Sequence, residues 1–134
     1  MDRTFASVDV VLDLSGDASQ ALFSFDDDER NSVRLEYVEV DPVRGTPNCT
    51  IEYWKNNAYV FGNQEDLDFG VEDLVLRARR QTFSIERKNG SDEVVSLVVP
   101  DISKKRTFSI LTVHGKTGDE QDGGLARLEF RPTP

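Results

Sequence analysis

Residues 71–99 decide the fold of this chain, and their centre reads TFSIERK (82–88), NG (89–90) and SDEVVSLVV (91–99). Both longer runs are rich in β-branched and aromatic residues, and the Asn-Gly pair between them is the preferred centre of a tight turn. This arrangement is typical of a β-hairpin. The segment therefore predicts two neighbouring antiparallel strands.

The charges in this hairpin argue against a strict two-residue loop. Such a loop would place Glu86 opposite Glu93 and would leave the Phe83 ring opposite Ser96. Adding one residue to the loop gives three better matched pairs, and burial of one face favours this register: Phe83 with Leu97, Ile85 with Val95, and Arg87 with Glu93. We expect a bulge or a longer loop near Ser91.

The rest of the chain repeats this strand-and-turn pattern. Residues 71–79 fit both a helical and a strand period, and we favour a strand because the neighbouring segments are strands. Residues 41–48, 62–70 and 115–124 are rich in turn-forming or acidic residues and predict loops. Besides the hairpin, strands are expected at 4–14, 21–25, 33–40, 50–55, 58–61, 71–79, 107–114 and 125–131.

Short strands at intervals of roughly 10 to 12 residues, with almost no credible helix, predict an all-β protein. We expect a two-layer antiparallel β-sandwich of the jelly-roll or immunoglobulin-like kind, with a closed β-barrel as the alternative. A length of 134 residues suits one domain spanning 1–134.

The charge balance limits the classes of partner. The chain carries 25 acidic and 16 basic residues, for a formal charge of −9. Because such a surface repels polyanions, we do not expect nucleic acid as a partner. No run of apolar residues approaches a membrane span, and no secretory signal precedes the first strand, so we expect a soluble protein without membrane contact.

The sequence holds few residues for nucleophilic or cysteine-based chemistry. Cys49 is the single cysteine, so neither an intrachain disulfide nor a multi-cysteine metal site can form. His114 is the single histidine, and its place at the end of a predicted strand favours a structural role. No nucleophile elbow, phosphate loop, dinucleotide fingerprint or metalloprotease pair occurs, and we expect no enzymatic activity. A hydrolase that uses a pair of carboxylates is the third hypothesis, because such a pair can cleave a glycoside without histidine.

Acidic clusters in the predicted loops are candidates for calcium binding, because loops at one end of a sandwich can gather oxygen ligands around an ion. None matches the EF-hand pattern. No other cofactor is expected. The candidate ligands are Asp26, Asp28, Asp66, Asp68, Asp119 and Asp122.

Aromatic residues concentrate in the second hairpin candidate, around the Asn56-Asn57 pair. Flat amphipathic rings on a sheet face suit the flat faces of sugars. Tyr53 and Trp54 are adjacent and point to opposite faces of a strand, so one of them is expected in the core. Trp54 with Tyr53 or Tyr59 forms the candidate sugar platform.

Basic residues concentrate in another segment, at Arg77, Arg79 and Arg80, whereas the loops are acidic. This segregation favours contact with a second copy or another protein. The leading functional hypothesis is therefore a non-enzymatic structural or accessory subunit of a larger assembly, most concretely a virion component such as a viral or phage capsid decoration protein. The alternative is a carbohydrate-binding module, with calcium as a candidate ion.

Overall fold

A computed structural model describes residues 2–6, 8–40, 43, 45–88, 93–103, 105–116 and 125–132. Strands dominate this part of the chain, and a single 3-10 turn at Val71–Asp73 is its helical element. The strands are β1 (Asp2–Ala6), β2 (Val8–Leu14), β3 (Ala18–Asp27), β4 (Asn31–Val38), β5 (Asn48–Lys55), β6 (Ala58–Asp66), β7 (Leu74–Arg79), β8 (Thr82–Arg87), β9 (Glu93–Val98), β10 (Lys105–Gly115) and β11 (Leu125–Pro132).

These strands form two antiparallel sheets. The first sheet has six strands in the order β1-β10-β3-β4-β5-β6, and the second has five in the order β11-β2-β7-β8-β9. The predicted two-layer sandwich is confirmed. The described strands do not close into a barrel, because β1 and β6 end one sheet and β11 and β9 end the other.

The predicted strand at 4–14 is wrong as a single element. The structure divides it into β1, which pairs with β10 in the six-stranded sheet, and β2, which lies between β11 and β7 in the other sheet. The alternation that continues through both strands hides the change of sheet. In β2 the residues from Val10 to Leu14 are all buried, so two-sided burial replaces simple alternation.

The central hairpin shows both of the registers considered for it. Phe83 pairs with Leu97 and Ile85 pairs with Val95, as predicted. The register then shifts, and Glu86 pairs with Glu93, so the predicted pairing of Arg87 with Glu93 is wrong. The extra residue is Val94, and residues 89–92 lie outside the described part of the chain.

The like-charged pair is tolerated because Glu86 has partners on its own sheet. Its Oε2 accepts a hydrogen bond from Ser84 Oγ at 2.7 Å and lies 3.7 Å from Arg77 Nε. Opposite charge beside a carboxylate offsets the repulsion from a second carboxylate. The described strands contain a bulge at Val94, inside β9.

Other predicted elements are confirmed with different ends. Asn56 and Asn57 both have positive φ, at 54° and 62°, which is the conformation of a two-residue hairpin turn. The predicted loop at 62–70 is shorter, because β6 continues to Asp66. Likewise, the predicted strand at 71–79 begins only at Leu74, after the 3-10 turn.

The core lies between the two sheets. Phe25 packs against Phe83 of the facing sheet with ring centroids 5.3 Å apart, and against Phe108 at 5.1 Å. All three rings are fully buried. Within the described residues, no helix has the length and apolar character needed to cross a membrane.

Candidate functional site

The outer face of the six-stranded sheet carries a polar surface around one tryptophan. In β4 the residues Val33, Leu35 and Tyr37 are buried, and alternation turns the residues between them outward. The same alternation in β5 buries Cys49, Ile51 and Tyr53. Pairing then sets three outward rows side by side: Ser32 with Trp54 and Tyr59, Arg34 with Glu52 and Gly62, and Glu36 with Thr50 and Gln64.

Three neighbours hold the indole of Trp54. The guanidinium carbon of Arg34 lies 4.5 Å from the ring centroid, and Tyr59 meets the ring edge-to-face at 5.8 Å. Nε1 of Trp54 donates to Oε1 of Glu52 at 3.3 Å. Stacking of arginine on an aromatic face and an edge-to-face ring pair both restrict the orientation of the indole. Trp54 is half-buried, whereas Tyr59 is 53% exposed.

Two hollows flank this group. One has a volume of about 330 Å³ and the other about 220 Å³. Their walls combine aromatic rings with amide, hydroxyl, carboxylate and guanidinium groups. The larger hollow is lined by Asp26, Arg30, Asn31, Ser32, Arg34, Trp54 and Asn57, and the smaller by Thr50, Glu52, Tyr59, Gly62, Asn63 and Gln64.

Two tight turns form the end wall of the larger hollow. Arg30, in the turn between β3 and β4, has a φ of 64°, and Asn57 has a φ of 62° in the next hairpin turn. The backbone N–H of Asn56 donates to the carbonyl of Arg30 at 3.0 Å. This bond joins the turns, so the polar groups that they present keep a fixed separation.

A buried hydrogen-bond network supports this wall from below. Asp27 accepts from the backbone N–H groups of Glu29, Asn31 and Ser103 and from Nδ2 of Asn31, all within 3.0 Å. Burial raises the pKa of Asp27, but these bonds outweigh it and hold the pKa below its usual value. Oδ1 of Asn31 in turn accepts from the Tyr53 hydroxyl at 2.9 Å.

The structure separates the predicted aromatic platform. Trp54 and Tyr59 lie together on the outer face, as the alternative hypothesis requires. Tyr53 does not join them, because its side chain points into the core and is 3% exposed. Burial raises the pKa of its hydroxyl, as do the charges of Asp101 and Asp27. Tyr53 is thus a core residue, which corrects its inclusion among the surface candidates.

The two acidic clusters that the structure describes, Asp26 with Asp28 and Asp66 with Asp68, lie at opposite ends of β4. Asp26 pairs with Ser32 at the start of β4, whereas Asp66 pairs with Asn48, which pairs with Val38 at the end of β4. Six residues of strand separate these ends by about 20 Å. Asp28 and Asp68 are exposed in the adjoining turns, and Asp119 and Asp122 lie outside the described residues.

Asp26 and Asp66 both accept hydrogen bonds within the protein. Oδ1 of Asp26 accepts from Ser24 Oγ at 3.0 Å, and Oδ1 of Asp66 accepts from Asn48 Nδ2 at 3.0 Å. Among the described residues, no three His, Cys, Asp or Glu side chains are close enough together to hold a metal ion. Asp26 and Asp66 therefore do not ligate one ion together, and calcium binding at the acidic loops stays a prediction.

The predicted basic interaction residues lie on the other sheet. Arg77 and Arg79 alternate with buried Ala78 on β7 and face outward, and Arg80 follows in the turn with a φ of 52°. Arg79 and Arg80 are exposed, whereas Arg77 is half-buried beside Glu86. A surface for protein contact at these residues stays a prediction.

Sequence reasoning found Trp54 and Tyr59 but missed the polar residues beside them. Arg34 and Glu52 are ordinary charged residues in alternating strands, and nothing in their local sequence marks them. The signal that could have found them is register: once β4 is paired with β5, Arg34 and Glu52 become direct partners beside Trp54. The intervening loop at 41–48 leaves that register undetermined from sequence.

Comparisons with known proteins point to one kind of fold. No protein-family model and no curated protein sequence matches the chain. Solved structures do. Galectin-Ib of Xenopus laevis superposes with a TM-score of 0.59 at 12% identity, covering 98% of this chain and 100% of that one.

Two other galectins match to the same degree. Sheep galectin-11, in complex with glycerol, has a TM-score of 0.59 at 10% identity and covers 97% of this chain and 96% of its own. A toad ovary galectin, in complex with thio-digalactose, has a TM-score of 0.59 at 10% identity, and the match covers 97% of this chain and 98% of that one. At this identity the likeness concerns the fold, so we conclude that the chain is an all-β sandwich of the galectin-like jelly-roll type.

Proposed function

We propose that the protein is a non-enzymatic carbohydrate-binding domain, and that it holds a saccharide on the outer face of the six-stranded sheet beside Trp54. The observation that carries this proposal is the outward indole, fixed between Arg34 and Tyr59, with a polar hollow on each side. An immobilised aromatic ring next to convergent polar groups is the general design of a small-ligand site.

The chemistry of the two hollows suits a sugar. A saccharide presents hydroxyl groups that both donate and accept, together with apolar C–H faces that pack on aromatic rings. Glu52 and Thr50 supply acceptor oxygens, Asn57 and Gln64 supply amides, and Arg34 supplies guanidinium donors. Nε of Arg34 is buried and has no hydrogen-bond partner among the described residues, so one donor of the site is unsatisfied without a ligand.

The fold comparisons support the same proposal. The toad ovary galectin with this fold is in complex with thio-digalactose, a saccharide. By contrast, neither the fold nor the comparisons support a role as a viral or phage particle subunit. Carbohydrate binding is therefore better supported than a role as an assembly subunit. The same binding experiment tests whether it depends on calcium.

Tryptophan fluorescence provides a direct test because Trp54 is the single tryptophan of the chain. We would titrate the protein with thio-digalactose and a panel of neutral and charged saccharides, in calcium and in chelator. We expect a saturable change in intensity or wavelength with at least one saccharide. Calorimetry with the same saccharide should show Trp54→Ala weakening binding by at least about fivefold, since an aromatic contact in a site contributes about 1 kcal/mol or more.

The matched controls separate loss of the ring from loss of the fold. Trp54→Phe keeps an aromatic ring and should retain part of the affinity, whereas Leu111→Ala removes an exposed side chain of the same sheet at β10 and should retain all of it. The absence of any response across the panel in a folded protein would overturn the proposal. An equal loss in the Leu111 variant would also overturn it.

A further inference from the structure

Another cavity, besides the two hollows beside Trp54, lies on the outer face of the five-stranded sheet, on the opposite side of the sandwich. It has a volume of about 440 Å³, within the range of pockets that bind small molecules. In β2 and β7 the residues Leu12, Leu14 and Leu76 belong to the core, so alternation turns their neighbours to this face. The lining residues are Asp13, Val75, Arg77, Glu86, Arg87, Lys88 and Arg127.

One residue of the lining, Asp13, has a buried carboxylate. The Asp13 side chain is 9% exposed, and its Oδ2 lies 3.0 Å from Arg127 Nε and 3.6 Å from Lys88 Nζ. Its other oxygen, Oδ1, is buried and has no hydrogen-bond partner among the described residues. Burying a charged oxygen without a hydrogen-bond donor lowers the stability of the protein, so Oδ1 is an acceptor that a ligand could satisfy.

The cavity also contains an unfilled donor. Nε of Arg77 is buried without a hydrogen bond, 3.7 Å from Oε2 of Glu86. That carboxylate oxygen accepts from Ser84 Oγ at 2.7 Å, whereas its distance to Arg77 Nε is that of an ion pair without a hydrogen bond. The guanidinium of Arg77 therefore has donor capacity that the protein does not use.

The lining of the cavity has a positive net charge, although the whole chain has a negative one. It holds four basic residues and two acidic ones, whereas the whole chain has a formal charge of −9. Arg77 pairs with Glu86, Lys88 with Asp13, and Arg127 with both Asp13 and Glu129, so four cations face three carboxylates and one positive charge is in excess. An excess of basic side chains attracts anions, and guanidinium groups bind oxyanions with two donors at once. The lining thus favours an anion that also brings a hydrogen-bond donor for Asp13.

We propose that this cavity binds an anionic sugar. Its carboxylate, phosphate or sulfate group is held by Arg77 and Arg127, and one of its hydroxyl groups donates to Oδ1 of Asp13. Val75, which is 4% exposed, provides an apolar floor for the ring. Arg127 and Lys88 have side chains 50% and 39% exposed, so Lys88 can move aside to admit the ligand and Arg127 can reorient toward its anionic group.

The test uses probes that carry one or both of the two groups. We would record amide NMR spectra of the labelled protein during titration with glucuronate, glucose 6-phosphate, glucose and acetate. Glucuronate or glucose 6-phosphate should shift resonances around Asp13 and Arg77, and the stronger of the two identifies the anion. Glucose and acetate should bind at least about tenfold more weakly, because each lacks one of the two hydrogen-bonding partners.

Variants then separate the cavity from general charge effects. Arg77→Gln and Arg127→Gln should each weaken the better probe by about tenfold. Arg79→Gln removes the same charge from the same strand outside the lining, and should change affinity by less than about twofold. Equal binding of acetate, equal loss in the Arg79 variant, or no shift at this face would overturn the proposal. Trp54→Ala should leave binding at this cavity unchanged, because Trp54 lies on the other sheet. The variant therefore shows whether the proposal for this cavity or the proposal for the Trp54 site has failed.

Discussion

The carboxylate of Asp27 has the most demanding environment of any residue near the proposed carbohydrate site. It accepts four hydrogen bonds from three residues, Glu29, Asn31 and Ser103. An asparagine at this position would offer only one acceptor oxygen and would place an N–H₂ group among donors. We expect Asp27→Asn to lower the free energy of unfolding at neutral pH by about 2 kcal/mol. Chemical denaturation followed by circular dichroism measures this loss.

The pH dependence of that loss follows from the lowered pKa of Asp27. A carboxylate with a depressed pKa in the folded state contributes stability that is complete above its unfolded pKa and is lost as pH falls through the folded pKa. The stability difference between wild type and variant should therefore shrink below about pH 4. Asp28→Asn, at the exposed neighbouring position, is the control. A constant difference from pH 7 to pH 3 would contradict this account.

The thiol of Cys49 provides a second prediction at the residue scale. It is fully buried on the core side of β5, and burial raises its pKa to about 12. Because the thiolate is the reactive form, native protein should react with a thiol reagent such as DTNB no faster than it unfolds. Protein unfolded in urea should react at once with one equivalent. Rapid labelling of the native protein would show that β5 is more open than the structure indicates.

Among the strands, β6 depends on a glycine. A Cβ at Gly62 would lie 2.7 Å from the carbonyl oxygen of Ile51, a backbone atom of β5 that cannot move aside alone. We expect Gly62→Ala to destabilise the protein by about 1–3 kcal/mol and to weaken saccharide binding, since Gly62 also lines the smaller hollow. Thermal unfolding and the fluorescence titration measure the two effects. Gln64→Ala, exposed on the same strand, should leave stability within about 0.5 kcal/mol, and a similar loss there would contradict the steric explanation.

The alternation of apolar and polar residues predicts the strands that have one buried and one exposed face. It does not predict elements whose ends or partners are set by contacts with distant parts of the chain. β4 and the Asn56-Asn57 turn follow from side-chain parity and turn chemistry alone. The break between β1 and β2 does not, because both halves have strand character and only their partners differ. The sequence predicts a bulge or longer loop near Ser91, because a pair of glutamates is unfavourable, whereas the structure has the bulge at Val94. The partners of Glu86 that make that pair acceptable come from β7 and from β8 itself.

The candidate site was predictable only in its aromatic part. Trp54 and Tyr59 are close in sequence and belong to one hairpin, so their proximity follows from a two-residue turn. Arg34 and Glu52 come together across the loop at 41–48, and their pairing depends on a register that is set by burial of both strands. The cavity around Asp13 draws on the β7–β8 hairpin and on β2 and β11, which are far from it in sequence, so no local motif could indicate the cavity.

For the whole molecule, the effect of salt distinguishes two kinds of association. A net charge of −9 makes two copies repel each other, and salt should then favour association by screening that repulsion. Contact between the basic end of β7 and the acidic loops of a second copy has the opposite dependence, because salt screens the attraction. The sign of the salt effect therefore tests the predicted interaction role of Arg79 and Arg80.

Light scattering on a sizing column, at about 0.05 M and 1 M salt and at two protein concentrations, measures that sign. If Arg79 and Arg80 form a self-association surface, the mass should exceed that of one chain at low salt and fall at high salt. The double variant Arg79→Gln with Arg80→Gln should then remain monomeric in both conditions. Lys55→Gln, which removes an exposed positive charge from the other sheet, should behave as wild type. A mass that rises with salt, or a strict monomer throughout, would contradict self-association through these residues.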